Sequence, residues 1–191
     1  MSGKTLQTLK NNLKKGLNTH SFSAIMVYGN KETIRKYYSS FQNLLPHYQI
    51  ISPLRIAHFL AQVAHESLSL IYTEELATGE AYEGRKDLGN TEKGDGKRFK
   101  GREFIQLTGR ANYQAYANDS GLKLMETGKE SLISIYPDYA LDVSLWFWDK
   151  NKLNLKADQD DMRGITKRVN GRYNGLDDRA KYLSRAKFFL I

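Results

Sequence analysis

The chain contains no cysteine. That excludes a disulfide framework, a thiolate metal site and a cysteine nucleophile, and it leaves folding to packing alone. Proline is scarce, at Pro46, Pro53 and Pro137 only, and there is no internal repeat, low-complexity tract or Ser/Gly-rich linker, so nothing marks a domain boundary. No stretch reaches the apolar length that a bilayer-spanning helix requires, which excludes stable membrane insertion. The segment from Met1 to Lys15 is polar and lysine-dotted, with leucines at amphipathic-helix spacing, and lacks the continuous apolar core of a secretory signal. Synthesis in the cytoplasm without a signal peptide is the expectation.

What is present fits one globular unit. At 191 residues, 40% hydrophobic and 26% charged, the chain is long enough to bury a core and falls within the usual single-domain range. The formal charge of +8 raises the local concentration of polyanions such as nucleic acid, an acidic cell wall or anionic lipid. The lysines are dispersed, however, and no nucleic-acid motif or basic-aromatic stripe is present, so nucleic acid is not an expected partner.

Helical periodicity dominates. Ser52-Pro53 reads as a cap with proline in the first turn, followed by Ile56, Phe59, Leu60 and Val63 on one face, so a buried helix is predicted to run to about Glu66. Further helical patterns cover 31–45, 113–116, 138–150 and 160–169, and Asn174 is predicted to cap a last helix over 176–189. Between Gly79 and Gly109 the sequence turns glycine-rich and charged, predicting a loop with at most a small hairpin. A loop of that length in a compact domain is usually functional. The fold class predicted is mainly α: one helical domain, residues 1–191, with an N-terminal helical segment over 1–50.

Glycoside hydrolysis needs one carboxylic acid to protonate the leaving oxygen and one carboxylate to activate water or attack the sugar. Glu66 closes an apolar helix, where partial burial and the negative end of the helix dipole both disfavour its charged form, as suits a general acid. Glu75 follows beyond a predicted helix break at 67–69, with adjacent Glu74 as its rival. His58 and His65 lie seven residues apart on a helix with no third ligand, and Gly94-Asp95-Gly96 has neither the strand nor the helix start of a phosphate loop. No metal or cofactor is expected. Trp146 and Trp148 read as core rather than as sugar platforms.

Two segments go further: Ala61-Gln62-Val63-Ala64-His65-Glu66-Ser67, and Gly101-Arg102-Glu103-Phe104-Ile105-Gln106-Leu107-Thr108-Gly109-Arg110-Ala111-Asn112-Tyr113. Together they resemble glycoside hydrolase family 19, which holds plant-type chitinases and related phage and bacterial endolysins. The resemblance runs from about Leu54 through Tyr182, giving a catalytic region over 51–182. Tyr82-Glu83-Gly84-Arg85, Leu88-Gly89-Asn90, Gly94-Asp95-Gly96 and Arg98-Phe99-Lys100-Gly101 resemble the loop of the endolysin branch.

The resemblance implies a lysozyme-like helical fold with the glycine-rich loop lining the cleft, and an inverting mechanism in which Glu66 is the acid and Glu75 the base. It places the water-orienting hydroxyl on Thr108 and sugar-binding groups on Gln106, Asn112 and Tyr113. Val169-Asn170-Gly171 and Asp178-Arg179 resemble segments supplying a substrate-contacting asparagine, Asn170, and an arginine, Arg179, close to the catalytic carboxylates. An arginine beside a carboxylate keeps it ionised, which a base needs and an acid does not. Two positions depart from the pattern. Glu103 replaces a glycine, and Ser67-Leu68-Ser69 stands where many relatives have Ser-Gly-Gly, which restricts the backbone.

The implied partner is a glycan strand of bacterial peptidoglycan, or chitin, acted on by a monomer. A glycosidase without a signal would reach the wall (periplasm) through a phage holin or a secretion apparatus, and a secreted effector would call for an immunity protein. A non-catalytic wall-binding module on the same fold is the alternative from another class.

Overall fold

The computed structural model describes residues 16–105 and 107–191. The helical pattern read for Met1 to Lys15 and the site residue Gln106 lie outside the described residues. The helices are α1 (Thr19–Ile25), α2 (Lys31–Leu44), α3 (Pro53–Glu66), α4 (Asp95–Arg98), α5 (Arg110–Ser120), α6 (Leu132–Ile135), α7 (Pro137–Lys150), α8 (Leu153–Asp158), α9 (Met162–Asn170) and α10 (Leu176–Leu190). No helix among the described residues is long and apolar enough to cross a membrane.

Helix α3 is the axis of the molecule. Ser52 accepts the Arg55 amide at 3.2 Å and Pro53 occupies the first turn, which satisfies one orphan donor and removes another. The sequence pattern predicted burial along one stripe. The structure buries every residue from Ala57 to Ala64, as befits a helix packed on all sides. Helix α10 lies along α3, with α8 and α9 also against it, while α2 packs on α7. Phe59 meets Trp148 edge-on at 5.2 Å between centroids, and Phe41 and Phe104 extend the same core. A second cluster of Phe99, Tyr113, Tyr116, Leu124, Ile133 and Val143 underlies the glycine-rich segment.

The expected hairpin is reduced to isolated antiparallel bridges, Glu74 with Arg102 and Arg102 with Leu107. Side chains, rather than a ladder, organise the segment before them. Glu83 accepts from the amides of Gly94 at 2.6 Å and Gly96 at 2.8 Å. Buried Asp95 accepts from the Thr91 and Glu92 amides and from the Arg110 guanidinium, and its bond to Arg110 holds the carboxyl below the usual carboxylate range. Gly109, at φ 89, gives a side chain no room, because a Cβ there would stand 2.6 Å from Leu88.

One predicted cap is displaced. Helix α10 starts from Gly175, at φ 70 and without a side-chain cap, rather than from Asn174. A Cβ on Gly175 would stand 2.2 Å from the His65 ring, so close approach, not capping chemistry, selects the residue. Asn174 instead offers its carbonyl to Arg179 Nε at 3.2 Å.

Candidate active site

Glu66 is the last residue of α3. Beyond it the chain reverses through three consecutive left-handed residues, Leu68, Ser69 and Leu70, at φ 48, 59 and 73. Left-handed backbone costs a non-glycine residue roughly 1–2 kcal/mol. Ser67 supports the turn, its Oγ donating to the Val63 carbonyl at 2.6 Å and accepting the Leu70 amide at 2.8 Å. The turn therefore keeps a glycine-like path without the glycines. The other departure behaves in the same way, since Glu103 sits at φ 78.

A polar spine runs through the helices behind Glu66. Fully buried Arg179 of α10 donates through one terminal nitrogen to Glu66 Oε1 and through the other to Gln62 Oε1, the latter at 2.5 Å. Buried Gln62, one turn before Glu66 on α3, lies 3.5 Å from the Thr166 hydroxyl of α9. The predicted arginine is thus at the carboxylates, but on Glu66 rather than on Glu75. Beside it, His65 Nδ1 is 2.6 Å from Asp178 Oδ2, tying the end of α3 to the start of α10.

In front of Glu66 lies a cavity of about 190 Å³ lined by Glu66, Ile105, Thr108, Val169 and Asn170. The structure thereby unites three of the predicted site residues: Glu66, Thr108 and Asn170. Asn170 Oδ1 accepts the Asn174 amide at 3.3 Å, and exposed Asn112 donates to the Thr108 carbonyl at 2.8 Å.

Glu75 is carried by the segment that pairs with the loop. Its amide donates to the Gly101 carbonyl at 2.9 Å, and its carboxylate accepts from Tyr82 Oη at 3.1 Å and from the Gly101 amide at 3.3 Å. Burial and this bond together push the Tyr82 hydroxyl above its ordinary pKa, so it stays a donor. Glu74 differs, being ion-paired with Lys100 at 3.3 Å and Arg102 at 3.2 Å. Its charge is already engaged by two cations, while that of Glu75 is met by neutral donors.

Tyr113 sits elsewhere than the resemblance implied. It is fully buried in the second cluster, where its hydroxyl donates to the Lys100 carbonyl at 3.0 Å and accepts from Arg102 at 2.8 Å. Its role here is to brace the loop from behind the cleft. Trp148 is core, and Trp146 donates to Asp119 at 2.8 Å. Fully buried His58 lies 2.7 Å from Asp160; burial lowers its pKa. No cluster of potential metal ligands occurs among the described residues. Gln62, Tyr82 and Asp178 stood in the family-like segments without a role of their own, and Gly175 was not singled out. Gln62 carried a local signal as well, a polar residue four before Glu66 on the same helix face.

A helical core with a carboxylate at the end of its central helix and a loop closing over it is a lysozyme-like architecture. The chain has the fold of the family 19 chitinases and is homologous to proteins named for that family. Over 92% of its length it superposes on 94% of the class IV family GH19 chitinase of Zea mays, with a TM-score of 0.73 at 20% identity. It is 30% identical over 107 residues to a glycosyl hydrolase family 19 domain-containing protein of Haemophilus influenzae, covering 56% of this chain and 50% of that protein. With an endochitinase of Arabidopsis thaliana it shares 34% identity over 122 residues, 63% of this chain and 40% of the relative. The chain thus spans half or less of the length of these curated relatives. No family model matches it.

Proposed function

We propose that the protein is a glycosidase that hydrolyses β-1,4 links between amino sugars, with bacterial peptidoglycan as its substrate, in the manner of the endolysin branch. The observation that carries this reading is the cavity joining Glu66, Thr108 and Asn170, with Arg179 buttressing Glu66 from inside and Glu75 held by Tyr82 and Gly101 of the loop segment.

In this mechanism Glu66 is the general acid. Arg179 occupies Oε1, so the transferable proton belongs on Oε2. As that proton passes to the glycosidic oxygen, negative charge develops on the carboxylate, and the guanidinium is already oriented to receive it without reorganisation. An arginine on the acid therefore assists proton loss in the transition state. Glu75 is the base that activates water, with the Thr108 hydroxyl as its second anchor. Inversion calls for roughly 6.5–9.5 Å between the two carboxyls. Asn170, Asn112 and Gln106 would bind the sugars.

Peptidoglycan is preferred over chitin because the residues from Tyr82 to Gly101 are endolysin-like and the net charge of +8 suits an acidic wall. The relatives named endochitinases keep chitin as the second reading. The test is incubation with isolated peptidoglycan and, separately, with soluble chitin oligomers, followed by mass spectrometry of the products. New reducing ends from the wall with wild type and none with Glu66→Gln are expected. Full lysis by that variant would sink the assignment, and products from chitin alone would move the substrate.

A further inference from the structure

Seven buried side-chain atoms among the described residues lack a hydrogen-bond partner, and six of them fall on two short segments, 98–103 and 130–134. They are Nε of Arg98 and of Arg102, both carboxyl oxygens of Glu103, Oε2 of Glu130 and Oγ of Ser134. A buried polar atom left unpaired costs roughly 1–3 kcal/mol. Arg98 Nε and Glu130 Oε2 face each other at 3.6 Å, and Ser134 acts on Glu103, so the donor left without a counterpart is Arg102 Nε.

The two arginines open onto a cavity of about 350 Å³ lined by Gly94, Lys97, Arg98, Arg102 and Glu130. Arg102 is only 6% exposed. Its terminal nitrogens are committed, one to the Arg98 carbonyl and Tyr113 Oη at 2.8 Å each and the other to Glu74 at 3.2 Å, which leaves Nε without a partner. Arg98 donates to the Met125 carbonyl, and its Nε stands 3.6 Å from Glu130 Oε2, an ion pair too long to be a hydrogen bond. Exposed Lys97 adds a third cation. The Gly94 amide is already given to Glu83, so the donors on offer come from side chains. Three cations face one carboxylate in the lining, and Arg102 also pairs with Glu74, the chain neighbour of Glu75.

We infer that this cavity binds a carboxylate carried on the glycan, the lactyl group that muramic residues of peptidoglycan expose where no stem peptide is attached and that chitin lacks. A carboxylate supplies acceptors that guanidinium and ammonium donors match in charge-assisted hydrogen bonds. Glu130 keeps the cavity from being a general anion sink, since a second negative charge would meet it. The inference rests on the peptidoglycan reading and specifies how that substrate is distinguished from an uncharged amino-sugar polymer.

The test separates binding from turnover. In the Glu66→Gln protein, with its unfolding midpoint checked, calorimetry measures the Kd of a tetrasaccharide of alternating N-acetylglucosamine and N-acetylmuramic acid, and of uncharged chitotetraose. The carboxylate-bearing oligomer is expected to bind about tenfold or more tightly, the worth of one good charged contact, and to weaken with salt. Adding Lys97→Ala or Lys97→Glu to that protein should erase the difference and leave chitotetraose unaffected. Equal affinity for the two oligomers, or variants that weaken both alike or neither, overturns the inference. Wild-type release of wall fragments is read in parallel, so a failed cavity with intact wall lysis is distinguishable from a failed peptidoglycan assignment.

Discussion

Arg179, fully buried in α10, donates directly to Glu66 at the end of α3. A guanidinium with no exposure is held only where its fork is satisfied, and here one branch goes to the carboxylate and the other to Gln62. Arg179→Ala removes one partner of a buried pair, a change that typically costs 3–5 kcal/mol. Chemical denaturation should show a loss of about that size, with activity lost as well. Arg179→Lys keeps the charge but not the planar fork, so it should recover stability in part and activity poorly. A lysine variant with wild-type turnover would show that orientation of Glu66 does not matter.

The same two helices meet at Gly175. With φ 70 and the His65 ring 2.2 Å from a would-be Cβ, Gly175→Ala has to displace either α10 or the histidine preceding Glu66. The left-handed backbone alone costs about 1–2 kcal/mol. A shift of about 1 Å at the carboxyl is enough for roughly 100-fold in rate. The expected outcome is a folded protein with a lowered unfolding midpoint and turnover reduced far more than substrate affinity, measured by steady-state kinetics on wall fragments or chitin oligomers.

Much of this was legible in the sequence for a physical reason. Helix α3 announced both of its ends, by Ser52-Pro53 and by the polar Glu66-Ser67, and the structure starts it at Pro53 and ends it at Glu66. Glu66, Thr108 and Asn170, expected at the site, line one cavity. What was hidden depends on non-local approach. Nothing in the string shows that Gly175 touches His65, that Arg179, expected near the carboxylates, sits on Glu66 rather than Glu75, or that Tyr113 points into the second cluster instead of the cleft. Asn174 looked like a cap because capping is a local rule, and the contact that overrode it was tertiary.

Glu103 has its own pH signature. It is 1% exposed, and burial raises its pKa well above the ordinary value, against the smaller opposing pulls of the Ser134 hydroxyl, Arg102 and Lys36; Glu74 adds to the rise. In the folded protein it keeps its proton to a higher pH than in the unfolded chain. Its contribution to stability is therefore complete below the unfolded pKa of about 4.3 and is lost as pH climbs toward the folded value, by up to about 1.4 kcal/mol per pH unit. Urea midpoints of wild type and Glu103→Gln, followed from pH 4 upward, should diverge, with the glutamine variant the flatter. Parallel curves would mean that Glu103 titrates normally.

The division of labour between Glu66 and Glu75 can be read from the leaving group. A general acid matters in proportion to how badly the departing oxygen needs a proton, whereas a base that activates water is needed whatever departs. On unactivated oligomers both Glu66→Gln and Glu75→Gln should lose roughly 100- to 10,000-fold in kcat. On an amino-sugar glycoside with a dinitrophenolate leaving group, Glu66→Gln should recover most of that loss and Glu75→Gln should not. Because Glu74 is ion-paired to Lys100 and Arg102, Glu74→Gln should depress activity on both substrates only through the loop it anchors. Recovery by the Glu75 variant instead would exchange the two roles. It would also make the Arg179 contact that of a base kept ionised.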